Sequence, residues 1–248
     1  MTAIPKNPTY ESAKRGGLLV DQVHDQVCHA ILSGNYAPAE RVNIRRLASG
    51  MAVSVTPVRE ALSRLISDGI LCTNEKRAVL VPKLQVAEVD EIFHIRRLLE
   101  GDLAKTAAGH MRDEDIEFLA QTQTLFLDAL ATRNYRDVLK YNSQFHFRIY
   151  ERAGMYVTFR IVENLWLRIG PTLHFMYPIL ARDRSGNHSH ENIIDKARRH
   201  DGAALRAAVL EDLQNSLSAL HQYLEHGAER GLRARNPAAK TLSASAGS

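Results

Sequence analysis

Cysteine is scarce in this chain of 248 residues, which has two, Cys28 and Cys72. That excludes a disulfide scaffold and a CxxC metal knuckle, and it fits a reducing cytoplasm. The N-terminal stretch MTAIPKNPTYESAKRGG lacks an apolar h-region, so no secretory leader is expected. Long hydrophobic runs are missing as well. The best candidate, Leu165–Leu180, is interrupted by Arg168, Gly170, Pro171, His174 and Pro178, which excludes a bilayer span and a membrane partner. Excess charge is small, +4 overall, but it is unevenly placed. Residues 1–86 hold 11 Lys and Arg against 7 Asp and Glu, whereas residues 87–248 hold 21 of each. The whole positive excess lies in the first third, where a polyanion would bind.

What is present is helical periodicity. Residues 1–17 show none and are expected to be a flexible arm. From Val20, the spacing of Val23, Val27 and Ile31 predicts a first helix. A turn-rich break at 34–39 follows, then a short helix over Ile44–Ser49 that Gly50 ends. The stretch VSVTPVREALSRL (53–65) carries the next. Ser54 or Thr56 can cap it, Pro57 suits a first turn, and Val58, Ala61, Leu62, Leu65 and Ile66 form one apolar stripe up to Gly69. Leu71, Thr73, Val79 and Val81 alternate about the charged tip 74–77 and predict a β-hairpin. Three short helices and a hairpin are the plan of a winged helix-turn-helix, here 18–83. Residues 84–232 are expected to be an all-α antiparallel bundle with helices at 87–109, 113–132, 134–153, 155–168, 190–200 and 202–228, and a less regular segment at 169–189 with room for another short helix. The fold class is therefore mainly α. Residues 233–248 are rich in Ala and Ser and predict a disordered tail.

A helix-turn-helix lays its second helix in the major groove of double-stranded DNA. With the apolar stripe inward, Thr56, Arg59, Glu60 and Ser63 face out. Arg59 can take guanine O6 and N7 together, Thr56 can bond a phosphate or base, and Arg45 and Arg46 on the preceding helix suit phosphates. Lys76 and Arg77 at the hairpin tip can reach the backbone. The bland alternative makes Arg59 a solvated charge and Glu60–Arg64 an i,i+4 pair; for Glu60–Arg64 that alternative is the better one.

The segment VHDQVCHAILSGNYAPAERVNIRRLASGMAVSVTPVREALSRLISDGIL, above all TPVREAL with its following Gly, resembles the winged-helix domain of GntR-type bacterial transcription regulators. The helical remainder resembles the FCD ligand-binding domain of the FadR-like branch, over about residues 18–230 in all. The resemblance implies operator contacts from Arg45, Ser54, Thr56 and Arg59. Two departures stand out. Val55 occupies a position where the family usually has a DNA-contacting arginine, and a valine can offer only apolar contact, such as to a thymine methyl. Lys76 and Ala78 replace the glycines of the family's hairpin tip.

In the bundle, polar residues interrupt apolar stripes. Asn142 and His146 share a face with Leu139 and Ile149; His190 aligns with Ile193, Ile194 and Ala197; Asp212 aligns with Leu205, Val209 and Ser216. Buried polar groups need partners or a metal. Two imidazoles, a carboxylate and an amide oxygen suit a divalent ion, Zn²⁺ first, with Ni²⁺ or Mn²⁺ as alternatives. The resemblance implies the same site. Metal-binding FCD domains carry an Asp, a His four residues on, and two further His about 22 residues apart. Here Asn142 replaces the Asp and Asp212 replaces the last His, so the set keeps one carboxylate. The bland reading is satisfied core histidines, or a metal-free pocket in which Asp212 pairs with a histidine or a ligand. Arg96 lies on the stripe Ile92, Arg96, Leu99, Leu103 and needs a partner. Glu100 one turn away can be that partner, and the resemblance places the arginine in the effector pocket, facing a carboxylate. Trp166, Tyr150, His174 and Tyr177 are read as core or interface.

These observations together predict a DNA-binding repressor, a homodimer or dimer of dimers, released by a small anionic metabolite bound near the metal. A metal-dependent hydrolase fused to a DNA-binding module is one rival, but no recognisable motif supplies a general base. A regulator whose bundle is purely structural is the other.

Overall fold

The structure is a computed structural model and describes residues 19–183 and 185–235. The expected arm, and the expected tail beyond residue 235, lie outside the described residues.

Helix α1 (Leu19–Leu32) buries Val23, Val27, Ala30 and Ile31. Helix α2 (Ile44–Gly50) starts on Asn43, whose side chain accepts from the Arg46 N–H at 3.1 Å, which satisfies one orphan donor of the first turn. The left-handed residue beyond α2 is Ala52, with φ 55°, and Gly50 is still helical. Helix α3 (Val55–Ser67) buries Pro57, Val58, Ala61, Leu62 and Leu65, of which Val58, Leu62 and Leu65 each contribute about 1.5–3 kcal/mol. Ser54 holds the N-cap position, yet its side chain makes no capping bond. Gly69, at φ 69°, turns the chain out of α3.

Strands β1 (Cys72–Thr73) and β2 (Val79–Leu80) pair antiparallel, Cys72 opposite Leu80 and Thr73 opposite Val79. A bridge from Arg41 to Leu80 widens this wing. Its tip has no glycine: Arg77 takes the left-handed conformation at φ 55°, and Asn74 Oδ1 accepts from the Lys76 and Ala78 N–H groups, each at 3.0 Å. One apolar core holds this part together, from Val23 to Val81.

Helix α4 (Val86–Ala107) begins where the Glu88 carboxylate reaches back to the Gln85 N–H at 2.8 Å. A 3₁₀ turn, Ala108–His110, leads to α5 (Asp113–Ala131), whose first turn is acidic, as the helix dipole favours. Then come α6 (Tyr135–Arg152), α7 (Tyr156–Asp183), α8 (Ser185–Arg198) and α9 (Gly202–Arg235). Helix α4 packs on α9, α5 on α6 and α8 on α9, around a second core from Leu84 to Leu220.

Three expectations at the C-terminal end need correction. Helix α7 does not stop at residue 168 but runs through Gly170-Pro171 to Asp183. An interior proline costs about 3 kcal/mol, but Ile169, Thr172, Leu173, His174 and Tyr177 are all buried, and that packing outweighs the loss. Helix α8 begins at Ser185 rather than 190, so the expected irregular segment is largely helical. Helix α9 runs on to Arg235, past the expected end at 228 and into the first residues assigned to the tail. Among the described residues, no helix is long and apolar enough to cross a membrane.

The two cores meet on α7. Leu167 belongs to the winged-helix core, although its neighbours Leu165 and Trp166 belong to the bundle core. Three residues on, Gly170 lies against Leu32 of α1. Gly34, at φ 64°, lies so close to His174 that a Cβ there would sit 2.2 Å from its Nδ1.

Candidate functional site

On α3, Thr56, Arg59, Glu60 and Ser63 are exposed, as are Ser54 before the helix, Arg45 and Arg46 on α2, and Lys76 and Arg77 on the wing. With no capping bond to make, the Ser54 hydroxyl is available to an outside partner. Val55 is half-buried and packs against the winged-helix core, so a hydrophobic residue there has a reason besides DNA. The Arg64 guanidinium donates to Asp21 on α1 at 2.7 Å, across helices, instead of forming the expected i,i+4 pair with Glu60. Both side chains are half exposed, so the pair contributes little.

In the bundle, α6, α8 and α9 bring His146, His190 and Asp212 together. One ligand atom from each lies within 4.8 Å of the others. The His146 and His190 rings are 5.2 Å apart and edge-on, and His146 Nε2 is 3.3 Å from Asp212 Oδ2. All three residues are buried. Asn142 stands one turn before His146 on α6 and is half-buried.

The tautomers follow from the neighbours. Tyr150 Oη donates to Glu100 Oε2 at 2.6 Å; burial first, then the charge and hydrogen bond of Glu100, holds that hydroxyl well above the usual phenol range. Its proton is therefore committed to Glu100, and the contact of 3.3 Å between Tyr150 Oη and His146 Nδ1 requires the imidazole to donate. His190 Nδ1 stands 2.6 Å from Gln123 Oε1, an acceptor, so Nδ1 again carries the proton. Both Nε2 atoms are left for a ligand, and His146 Nε2 faces a carboxylate. Two acceptors at that distance need a proton or a cation between them. Burial pushes the His190 imidazole down to about 4, against the opposing pull of Asp212, so it is neutral, as ligation demands. For Asp212, burial acts upward, but the hydrogen bond and charge of His146, then His190 and Arg96, hold the carboxyl below its usual range. This donor set fits a divalent ion, since it offers two imidazoles whose Nε2 atoms turn toward one carboxylate while their Nδ1 atoms are engaged behind.

Arg96 and Glu100 form a fully buried pair, Nε donating to Oε1 at 2.5 Å. Glu100 also accepts from Trp166 Nε1 at 3.1 Å. The Arg96 guanidinium lies between Trp166 and Phe93, 4.4 and 4.9 Å from their ring centroids. Glu100 is thus occupied by three donors. A continuous polar path runs from Asp212 through His146 and Tyr150 to Glu100, and from there to Arg96 and Trp166.

Sequence reasoning missed Gln123, Tyr150 and Trp166 as members of this cluster. Gln123 was detectable: it interrupts the α5 stripe Ile116, Leu119, Gln123, Phe126 as His190 interrupts its own. Tyr150 and Trp166 looked like ordinary core, because an aromatic on an apolar stripe carries no sign of what its polar atom touches.

Comparison with known proteins matches both parts of the chain. Residues 19–81 match the model for bacterial regulatory proteins of the gntR family, and residues 91–215 match the FCD domain. The chain is 28% identical to the HTH-type transcriptional regulator McbR of Escherichia coli (strain K12) over 203 residues, covering 81% of this chain and 92% of McbR. It is 24% identical to YdhC of Bacillus subtilis (strain 168), also an HTH-type transcriptional regulator, over 216 residues, covering 84% of this chain and 93% of that one. The solved structure of E. coli McbR/YncC superposes with a TM-score of 0.78 over 84% of this chain and 99% of its own. These are relatives with regulatory rather than enzymatic roles.

Proposed function

Because the chain belongs to the GntR family of bacterial regulators and carries an FCD domain, it is a DNA-binding transcriptional regulator, and we propose that it is a cytoplasmic repressor released by a small carboxylate-bearing metabolite. Residues 18–83 serve as the DNA reader and 84–232 as the sensor. Arg59, Thr56, Ser63 and Ser54 contact the operator from the recognition helix, with Val55 supplying an apolar edge. Arg45, Arg46, Lys76 and Arg77 hold phosphates. A homodimer, or a dimer of dimers, places two readers on a palindromic site.

In the sensor, His146, His190 and Asp212 hold a divalent ion, Zn²⁺ or, by the same donor chemistry, Ni²⁺ or Mn²⁺, with Asn142 the weakest ligand. When bound, the ion supplies a Lewis-acidic centre for an anionic group. Arg96, clamped by Glu100, adds positive field at that spot. Helix α7 transmits the result: Trp166 belongs to the Glu100 network, and Leu167, Gly170 and His174 lie against the reader. An effector that prefers one α7 position shifts the two readers relative to each other and lowers operator affinity.

One observation carries this reading: His146 Nε2 faces the Asp212 carboxylate at 3.3 Å while both Nδ1 atoms are engaged elsewhere. The same distance favours a second reading, in which a proton on His146 replaces the metal. Metal analysis of purified protein, with operator binding followed by fluorescence anisotropy before and after chelation, separates the two. The metal reading expects about one ion per chain, lost in His190→Ala, with operator binding kept and effector response gone. Metal-free protein with an intact effector response would favour the protonated pair. Operator affinity indifferent to every small anion would leave the bundle a structural domain.

A further inference from the structure

Gln123 on α5 is 5% exposed and makes a single hydrogen bond among the described residues, through Oε1 to His190 Nδ1 at 2.6 Å. Its Nε2 is buried with no partner. The His190 ring is gripped on its face by Phe145, stacked at 4.1 Å and 8°, and touched by Phe126 at 5.0 Å. The aromatic rings fix the plane of the imidazole, but they cannot choose its tautomer. Gln123 can, because a carbonyl oxygen accepts and never donates. It therefore places the proton on Nδ1 and the lone pair on Nε2. The other half of the amide is a donor left in a dry place, which costs free energy until an acceptor arrives.

We propose that Gln123 is a two-sided positioning residue: its carbonyl orients His190 toward the metal, and its idle N–H donates to an oxygen of the bound carboxylate effector. This rests on the sensor reading given above and deepens it, by assigning the ligand an acceptor oxygen on the α5 side. It also links occupancy by metal and by anion through one side chain. Loss of the bond to His190 loosens the ligand, and loss of the N–H removes a reader of the anion.

The test uses the full-length protein and three probes: Co²⁺, Zn²⁺ and succinate, with inorganic phosphate for comparison. Trp166 is the only tryptophan in the chain and its ring lies 5.5 Å from that of His146, so bound Co²⁺ quenches its fluorescence. The Co²⁺ absorption bands report ligand geometry independently. Gln123→Leu keeps the volume and removes both functions; it is expected to bind Co²⁺ and Zn²⁺ about 10–100-fold more weakly, as loss of an outer-shell partner does, with shifted Co²⁺ bands. Gln123→Glu keeps an acceptor for His190 but replaces the donor by a negative charge. It is expected to restore metal affinity and the Co²⁺ spectrum while losing the response to succinate, which a merely structural role would not separate. Gln123→Leu with wild-type metal affinity and bands would overturn the orienting role. Gln123→Glu that answers succinate as the wild type does, or a metal-loaded wild type that answers no carboxylate probe, would overturn the donating role. If the wild type binds neither metal, the sensor reading itself fails, an outcome distinct from failure of Gln123 alone. Gln123→Glu carries the test should Gln123→Leu fail to fold.

Discussion

Replacing Glu100 by Gln is the most revealing single perturbation of the buried network. The change keeps the shape of the side chain, so no cavity confuses the result, but it removes the charge opposite Arg96. Arg96 is 2% exposed and Glu100 fully buried, and the guanidinium cannot shed its proton. An unpaired charge left inside the bundle costs about 3–5 kcal/mol. For a chain of this size each kcal/mol lowers Tm by about 2–4 °C, so a fall of about 6–20 °C is expected. Part of the loss falls on Tyr150 and Trp166, which donate to the same carboxylate. Arg96→Met alone leaves a buried carboxylate without its cation and also destabilises. The double variant Arg96→Met/Glu100→Gln carries no buried charge, and is expected to be more stable than either single, because removing both members of a buried pair is often near neutral. Urea denaturation at pH 7.5, with calorimetry as a second probe, measures all four proteins. Two results would refute the reasoning: Glu100→Gln within about 1 kcal/mol of wild type, or a double variant less stable than both singles.

Three further outcomes follow from other sites. Arg59→Ala is expected to cost about 1–3 kcal/mol of operator affinity and relax base preference at one position; anisotropy titrations with single-base operator variants check both. Stability should rise with pH between about 4 and the ordinary histidine range, because burial pushes both His174 and His190 down to about 4. The native state then refuses a proton that the unfolded chain accepts, and each residue is linked to up to about 3 kcal/mol lost as pH falls through that window. Urea midpoints at pH 7.5, 6 and 5 test the sign, and His174→Gln should flatten the curve. Gly34→Ala adds a Cβ at a left-handed residue, at about 1–2 kcal/mol, and drives it into His174. It should leave operator binding largely intact while weakening the effector response and speeding proteolysis near residues 82–85, and an unchanged response would count against α7 as the transmitting element.

Much of the fold was legible because the early elements are short and punctuated. The stripe of α3 stops at Gly69, the wing alternates on either side of a polar tip, and α2, α4, α5 and α6 begin and end within a few residues of their expected bounds. The errors fall where local chemistry and tertiary packing disagree. Gly170-Pro171 reads as a helix end, yet the residues around it are buried on two sides and the helix continues. Arg64 reads as the partner of Glu60, yet a neighbouring helix offers Asp21. Within the candidate site, the polar interruptions on α6, α8 and α9 pointed to one place, because a histidine or aspartate on an apolar stripe has few uses. Sequence could not tell that Glu100 would serve three donors, since two of them are aromatic residues 50 and 66 positions away.

The misread helix is also the one that joins the two cores. Had α7 ended at residue 168, Leu167 would still reach the winged-helix core, but the contacts that Gly170 and His174 make with Leu32 and Gly34 would be missing. Helix α7 puts Trp166 on the Glu100 network and, on the next residue, Leu167 in the winged-helix core. One turn further Gly170 lies against the end of α1, and a second turn on His174 lies against Gly34 in the turn behind it, while α1 packs on α3. Closely packed interiors transmit strain, and the adjacent Trp166 and Leu167 belong one to each core. The proline that reads as a stop costs helix stability, and the packing that overcomes that cost is the same packing that joins the two cores.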